Sequence, residues 1–149
     1  LPGLHFTRET AESIVLNRIG GGAVILAGSG MCTGGRVRHH LRHNLWRHDS
    51  SVIFVGFGAR GTLARRIIDG ARTVRIFHED IPVNAEVHTI GGFSAHADCD
   101  ELLAWWSAGP RPEQTVLVHG EEDAMRHFAG RLPEDAAVLQ PTLHTELAL

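Results

Sequence analysis

Apolar residues recur along the first half of the chain in blocks that change period from one block to the next. In RETAESIVLNRI (8–19), Ile14, Val15 and Arg18 are spaced for one helical face, Thr7 is placed to cap its start, and the glycines at 20–22 end it. AVILAG (23–28) is a continuous apolar run of strand length. In RVRHHLRHNLW (36–46), Val37, Leu41 and Leu45 recur every four residues, the signature of an amphipathic helix. SVIFVG (51–56) is a second apolar run, LARRIIDG (63–70) a short helix closed by Gly70, and RTVRIF (72–77) a third strand. Helices alternating with apolar strands predict an α/β fold whose parallel sheet is covered on both faces.

The pattern changes after residue 77. HEDIPVNAEVHTI holds a turn and an alternating stretch, with Val83, Ala85, Val87 and Thr89 on one side, which predicts an antiparallel or edge element. GGFSAHAD (91–98) leads into a helix through ELLAWWSA, in a position for Asp98 or Asp100 to cap it. TVLVHGEED reads as a strand ending in polar residues. EDAMRHFAGRL reads as a helix, and AAVLQ and the last residues as short strands. A loose organisational boundary falls near residues 70–80, without linker composition to mark it.

A chain of 149 residues has room for one domain or parts of two. The absence of an initiator Met points to a mature form or a fragment. No apolar run is long enough to cross a bilayer, and LPGLHFTRET is not a signal peptide. A net charge of −3 provides no global field to attract nucleic acid, so any anion site must be local. Two cysteines, Cys32 and Cys99, in unrelated contexts form no disulfide framework or zinc knuckle and fit a reducing cytoplasm.

Two glycine loops follow the first two strand runs. AGSGMCTGGR (27–36) exposes backbone N–H groups ahead of a helix, where the helix dipole favours anions, but no Gly-Lys-Ser/Thr follows to make it a Walker A loop. GFGARG (56–61) satisfies G-x-G-x-x-G between a strand and a helix, and Glu79 and Asp80 follow at the end of the next strand. That combination supports a rival reading as a dinucleotide-binding unit of an NAD-dependent oxidoreductase. Two such loops on adjacent strands suit a polyphosphate chain better than a single small ligand, with Ser29, Thr33, Arg36 and Arg60 as side-chain donors. In HHLRHNLWRH, His39 and His43 stand four apart, as zinc ligands can, but the surrounding arginines oppose a bound cation and favour a solvated or RNA-facing basic face. His96 and His119 each follow an extended segment, and ligands gather at the carboxyl ends of strands in open α/β sheets.

GSGMCTGGRVRHHL, GFGARGT, GGFSAHAD and VLVHGEE, in this order and spacing, resemble the C-terminal half of β-CASP ribonucleases of the metallo-β-lactamase superfamily. The resemblance runs from about residue 7 to about residue 130. It implies an α/β fragment comprising the end of a β-CASP parallel α/β domain (1–70) and the C-terminal part of the metallo-β-lactamase αββα core (71–149). It assigns His96 to the scissile phosphate and His119 to one zinc. A histidine at 119, where DNA-directed relatives carry valine, points to RNA. Ser29, Gly30, Met31, Gly34, Gly35, Arg36, Arg60 and Ser94 are then expected along the RNA path.

The family's H-x-H-x-D-H metal motif is absent from this sequence. Catalytic zinc needs about three protein ligands and a two-metal site two such sets, so His119 alone is insufficient. The expectation is a part of a zinc-dependent ribonuclease for single-stranded RNA, cytoplasmic, inactive without its N-terminal half and free of stoichiometric zinc by itself. Apolar surface bared by that missing half is expected to drive self-association. A non-catalytic RNA-binding scaffold and the oxidoreductase are the alternatives.

Overall fold

The computed structural model describes residues 2–93 and 96–146. They form two compact units, Leu1–Ser94 and Ala95–Leu149. No helix among the described residues is long and apolar enough to cross a membrane.

In the first unit the elements are α1 (Thr10–Leu16), α2 (Val37–Asn44), β1 (Ser51–Val55), α3 (Leu63–Ile68), β2 (Thr73–Ile76), β3 (Glu79–Pro82) and β4 (Glu86–Ile90). α1 starts later than its apolar pattern implies. Its N-cap is Glu9 rather than Thr7, because the Glu12 carboxylate reaches back to accept the N–H groups of Arg8 at 2.7 Å and Glu9 at 3.1 Å. The face it buries also differs from expectation. Ser13 is buried, while Ile14 and Val15 are more than half exposed. A polar residue is tolerated inside because His40 of α2 accepts or donates at Ser13 Oγ (3.1 Å) and meets Asn17 Oδ1 through its other ring nitrogen (3.1 Å). Burial, then the positive charge of neighbouring His39, Arg36 and His43, holds the His40 pKa below its usual value.

α2 buries the expected stripe: Leu41 and Leu45 are in the core and Val37 packs against it. AVILAG forms no strand. Residues 23–27 join no ladder, and Val24 and Leu26 are almost wholly exposed. An apolar run supplies the propensity for a strand, but a strand exists only where a neighbour completes its hydrogen bonds.

The predicted parallel sheet is accordingly reduced to one pair. β1 and β4 are parallel, in register Ser51↔Glu86 to Val55↔Ile90. The stretch expected to be antiparallel or an edge holds both: β3 pairs antiparallel with β2, and β4 is the edge of a two-stranded sheet, parallel to β1. The connection through α3 and the β2–β3 hairpin returns the chain to the same end, as a parallel pair requires. β2, expected as the third parallel strand, instead pairs antiparallel with β3, Thr73↔Pro82 to Ile76↔Glu79. Its turn is Phe77–His78, with φ of 50° and 68°. α2 is tied to β4 by the Leu45 carbonyl, which accepts the N–H groups of both Asn84 (2.9 Å) and Ala85 (3.0 Å). Leu45, Ile67, Val74 and Ile76 are the most deeply buried side chains, so the core lies between α2, α3 and the hairpin.

The second unit contains α4 (Cys99–Ser107), β5 (Thr115–Val116), α5 (Glu122–Ala129) and β6 (Val138–Leu139). β5 and β6 are parallel. Asp98 caps α4 as expected, accepting from the Glu101 N–H at 2.9 Å while the Glu101 carboxylate accepts the Asp98 N–H at 2.9 Å. Asp100 pairs with Arg131 at 2.8 Å rather than capping. The Trp106 indole N–H donates to Thr115 Oγ1 at 2.9 Å and ties α4 to β5.

Candidate functional site

In the first unit the two glycine loops lock onto one another. Met31 is the clasp. Its thioether sulfur accepts the Ala59 N–H at 3.1 Å, and its carbonyl accepts the Ala64 N–H in the first turn of α3 at 3.2 Å. The first loop also folds on itself: a Cβ added to Gly35, at φ 72°, would stand 4.0 Å from Ser29 Cβ. Ser29 and Cys32 both adopt left-handed backbone, at φ 71° and 54°. Cys32 is buried beneath the loop, and burial pushes its thiol pKa up, which keeps it unreactive. Ser29, Met31 and Gly35 thus share one rim with the loop that carries Arg60.

That rim differs from a pair of open phosphate cradles. At α3 the Ala64 N–H is taken by Met31, and the Arg65 N–H by the capping Thr62 hydroxyl at 3.2 Å. Within GFGARG the Gly56 N–H is taken by the Ile90 carbonyl and the Ala59 N–H by Met31. Gly58 explains the remaining glycine of the motif: a Cβ there would stand 3.1 Å from Ile68 Cδ1, so its absence serves helix packing. Arg36, predicted as a donor, turns to Thr7, donating to its carbonyl at 2.9 Å and its hydroxyl at 3.3 Å. Gly34 remains in the loop, half-buried, with open space where a Cβ would lie.

A dinucleotide unit is not formed. It requires the strand after the helix to continue a parallel sheet and to end in a free acid. β2 turns back on β3 instead, and Glu79 lies within β3, held bidentately by Arg42 at 2.8 and 2.6 Å.

The two histidines belong to the second unit. His96 is exposed, two residues before the α4 cap Asp98. Ser94 and Ala95, the former predicted to face RNA, lie outside the described residues. His119 is exposed, shortly after β5, with φ of 62°. A non-glycine residue in that region is uncommon and is found disproportionately where function sets the backbone. The next residue must be small: a Cβ on Gly120 would meet Met125 Cγ at 2.8 Å, so α5 packs directly on the backbone beside His119. Among the described residues no three His, Cys, Asp or Glu side chains converge to hold a metal ion. A zinc site does not fit these residues by themselves, and the His39–His43 pair gathers no further ligand.

Three features escaped the sequence pattern: the Met31 clasp, the Ser13–His40–Asn17 network, and the turn residues Phe77 and His78. The network left one signal. Ser13 and Asn17 stand four apart in α1, the spacing that places two side chains on one helical face.

Comparison with known families divides the chain between residues 67 and 80. The Beta-Casp domain matches residues 1–67, and the Zn-dependent metallo-hydrolase RNA specificity domain matches residues 80–138. The chain belongs to the β-CASP family of the metallo-β-lactamase superfamily. It is 48% identical over 123 residues to Ribonuclease TTHA0252 of Thermus thermophilus, an alignment covering 83% of this chain and 28% of that protein. It is 40% identical over 112 residues to Transcription termination factor FttA of Methanocaldococcus jannaschii, covering 71% and 18% respectively. With an RNase J-like protein of the same organism it shares 34% over 122 residues, covering 82% and 28%. The chain thus spans less than a third of the length of these relatives.

Proposed function

We propose that this chain is part of a zinc-dependent hydrolase of RNA phosphodiester bonds, acting in RNA processing or decay. The observation that carries the reading is His119: an exposed imidazole on left-handed backbone at a strand end, inside the segment that matches a Zn-dependent RNA specificity domain. His96 precedes a capped helix in the same segment. The names of the relatives, two of them ribonucleases or ribonuclease-like, support the same class.

In this reading His119 contributes one zinc ligand, and the others come from sequence beyond residues 1–149. When bound, the metal supplies an activated water and charge neutralisation at the phosphate. This chain's own contribution is narrower. His96 holds or gives a proton at a phosphate oxygen or the leaving oxygen. The rim of Ser29, Gly30, Met31, Gly34 and Gly35 borders the strand of RNA, with Arg60 beside it. Single-stranded RNA suits such a rim, because a flexible unpaired backbone can follow it. We divide the chain near residue 70, with the end of the β-CASP domain before it and part of the metallo-β-lactamase αββα core after it; the two family matches support this division. Packing follows a different line, because β4 pairs with β1 and keeps residues up to the nineties in the first unit. The free cysteines support a reducing, cytoplasmic setting. The open apolar positions Ile53, Val55 and Leu26 support burial against further protein, either the remainder of the same polypeptide or a second copy.

The test uses the full-length protein with a labelled single-stranded RNA and added zinc. Cleavage by the wild type, lost in both His96→Ala and His119→Ala, is the expected result. Zinc content should fall in His119→Ala and persist in His96→Ala. A folded wild type that binds RNA and never cuts would move the protein to the scaffold class.

A further inference from the structure

Among the described residues, one arginine on α2 has no hydrogen-bond or ion-pair partner and rests on an aromatic ring. Arg38 and Arg42 are four residues apart and share a helical face toward the β2–β3 hairpin. Arg42 is fully engaged by Glu79, and Arg75 and Asp80 of the same hairpin lie 3.7 Å from each other. Arg38 has neither kind of partner. Among the described residues no carboxylate or carbonyl accepts from its guanidinium, and its Nε is buried without a hydrogen bond. What holds it is Phe77: the guanidinium carbon lies 4.5 Å from the ring centroid. His39 packs on the same ring at 4.4 Å between centroids, with the planes inclined by 32°.

The cost of this arrangement is visible in the backbone. Phe77 and His78 both take positive φ in the two-residue turn, where glycine or asparagine is the usual choice. The Phe77 ring packs against the core and at the same time lies against the guanidinium. Among the described residues the terminal nitrogens of that guanidinium have no protein acceptor, an imidazole lies beside it, and the nearby Glu79 is already paired with Arg42.

We propose that Arg38, seated on Phe77 and flanked by His39, is a contact for a backbone phosphate of single-stranded RNA. The planar fork of an arginine matches phosphate geometry, and a charge contact of this kind holds the strand without reading its sequence. The inference rests on the RNA reading above and adds a subsite to it.

The experiment titrates a labelled single-stranded oligoribonucleotide with the full-length protein by fluorescence anisotropy across a series of salt concentrations. Arg38→Gln should weaken binding and lower the slope of log Kd against log salt by about 0.7, the counterion release for one phosphate of a single strand. Arg38→Lys keeps the charge and should keep the slope, separating a charge contact from lost packing on Phe77. In parallel, saturating RNA should protect Arg38 of the wild type from phenylglyoxal, read by peptide mass spectrometry, a measurement that needs no variant to fold. Wild-type slope and affinity in Arg38→Gln, or equal modification of Arg38 with and without RNA, overturns the inference and leaves the hydrolase reading standing. Protection of Arg38 by inorganic phosphate alone at the same phosphate concentration overturns the assignment to RNA. A wild type that binds RNA through Arg38 without ever cutting supports the inference and removes the hydrolase.

Discussion

Replacing Gly58 by alanine tests why GFGARG contains its middle glycine. The added methyl would stand 3.1 Å from Ile68 Cδ1, with the Arg65 backbone at an ordinary 3.5–3.6 Å. The backbone at Gly58 is not left-handed, so alanine is conformationally permitted there. Two effects then oppose each other. Alanine restricts the unfolded chain and stabilises by about 0.4–1 kcal/mol. Ile68 must move aside, and it has room, since it lines a cavity of about 460 Å³ bounded by Ala71, Val83 and Val87. Rotating it away from its preferred geometry costs about 0.5–1.5 kcal/mol. The net effect of Gly58→Ala is therefore between about 0.5 kcal/mol stabilising and about 1 kcal/mol destabilising. Ile68→Val removes the Cδ1 atom. In that background the clash is gone, and the same substitution should stabilise by about 0.4–1 kcal/mol. Urea unfolding of the four proteins, followed by far-UV circular dichroism, measures the coupling directly. An unchanged effect of Gly58→Ala in the two backgrounds refutes the packing account, and the glycine would then be required for something other than α3.

Other consequences are accessible to the same methods. His40 is held neutral in the fold by burial, while in the unfolded chain it binds a proton below about pH 6.5. The unfolded state gains more protons as pH falls, so stability should drop between about pH 7 and pH 5. His40→Gln should flatten that part of the profile, and parallel profiles for the two proteins would exclude His40 as the source. Asp98→Ala removes the N-cap of α4 and should cost about 1 kcal/mol in urea melts. Under the proposed function, cleavage of RNA by the full-length Asp98→Ala variant should fall with temperature sooner than that of the wild type, because His96 stands two residues before the cap of α4. Thr115→Val deletes the hydrogen bond from the Trp106 indole with little change in side-chain shape, an expected loss of about 0.5–1.5 kcal/mol; no loss would mean that α4 is not tied to β5 through the indole.

Much of the helical framework is legible in the sequence because its signal is local. Val37, Leu41 and Leu45 specify α2 by their period alone, and Asp98 with Glu101 specifies the start of α4 by their spacing. The motifs that place the chain in its family are likewise contiguous strings. Strand pairing is not local, and there the pattern reading fails in a consistent way. RTVRIF has the composition of a parallel strand, but pairing is decided at the Phe77–His78 turn, whose left-handed backbone no propensity at those residues announces. AVILAG has strand composition and no partner among the described residues.

Function divides along the same line. The sequence by itself determined the candidate chemistry: two histidines in recognisable strings, glycine loops before helices, and no metal motif upstream of them. Only the tertiary structure decided which of those groups have capacity left. It assigned the Ala64 and Arg65 amides of α3 to Met31 and Thr62, turned Arg36 to Thr7, buried His40 against Ser13 and Asn17, and left Arg38 on an aromatic seat with no acceptor among the described residues. The physical reason is that a hydrogen-bonding group is available to a ligand only when no nearer protein group satisfies it, and that depends on neighbours distant in the chain.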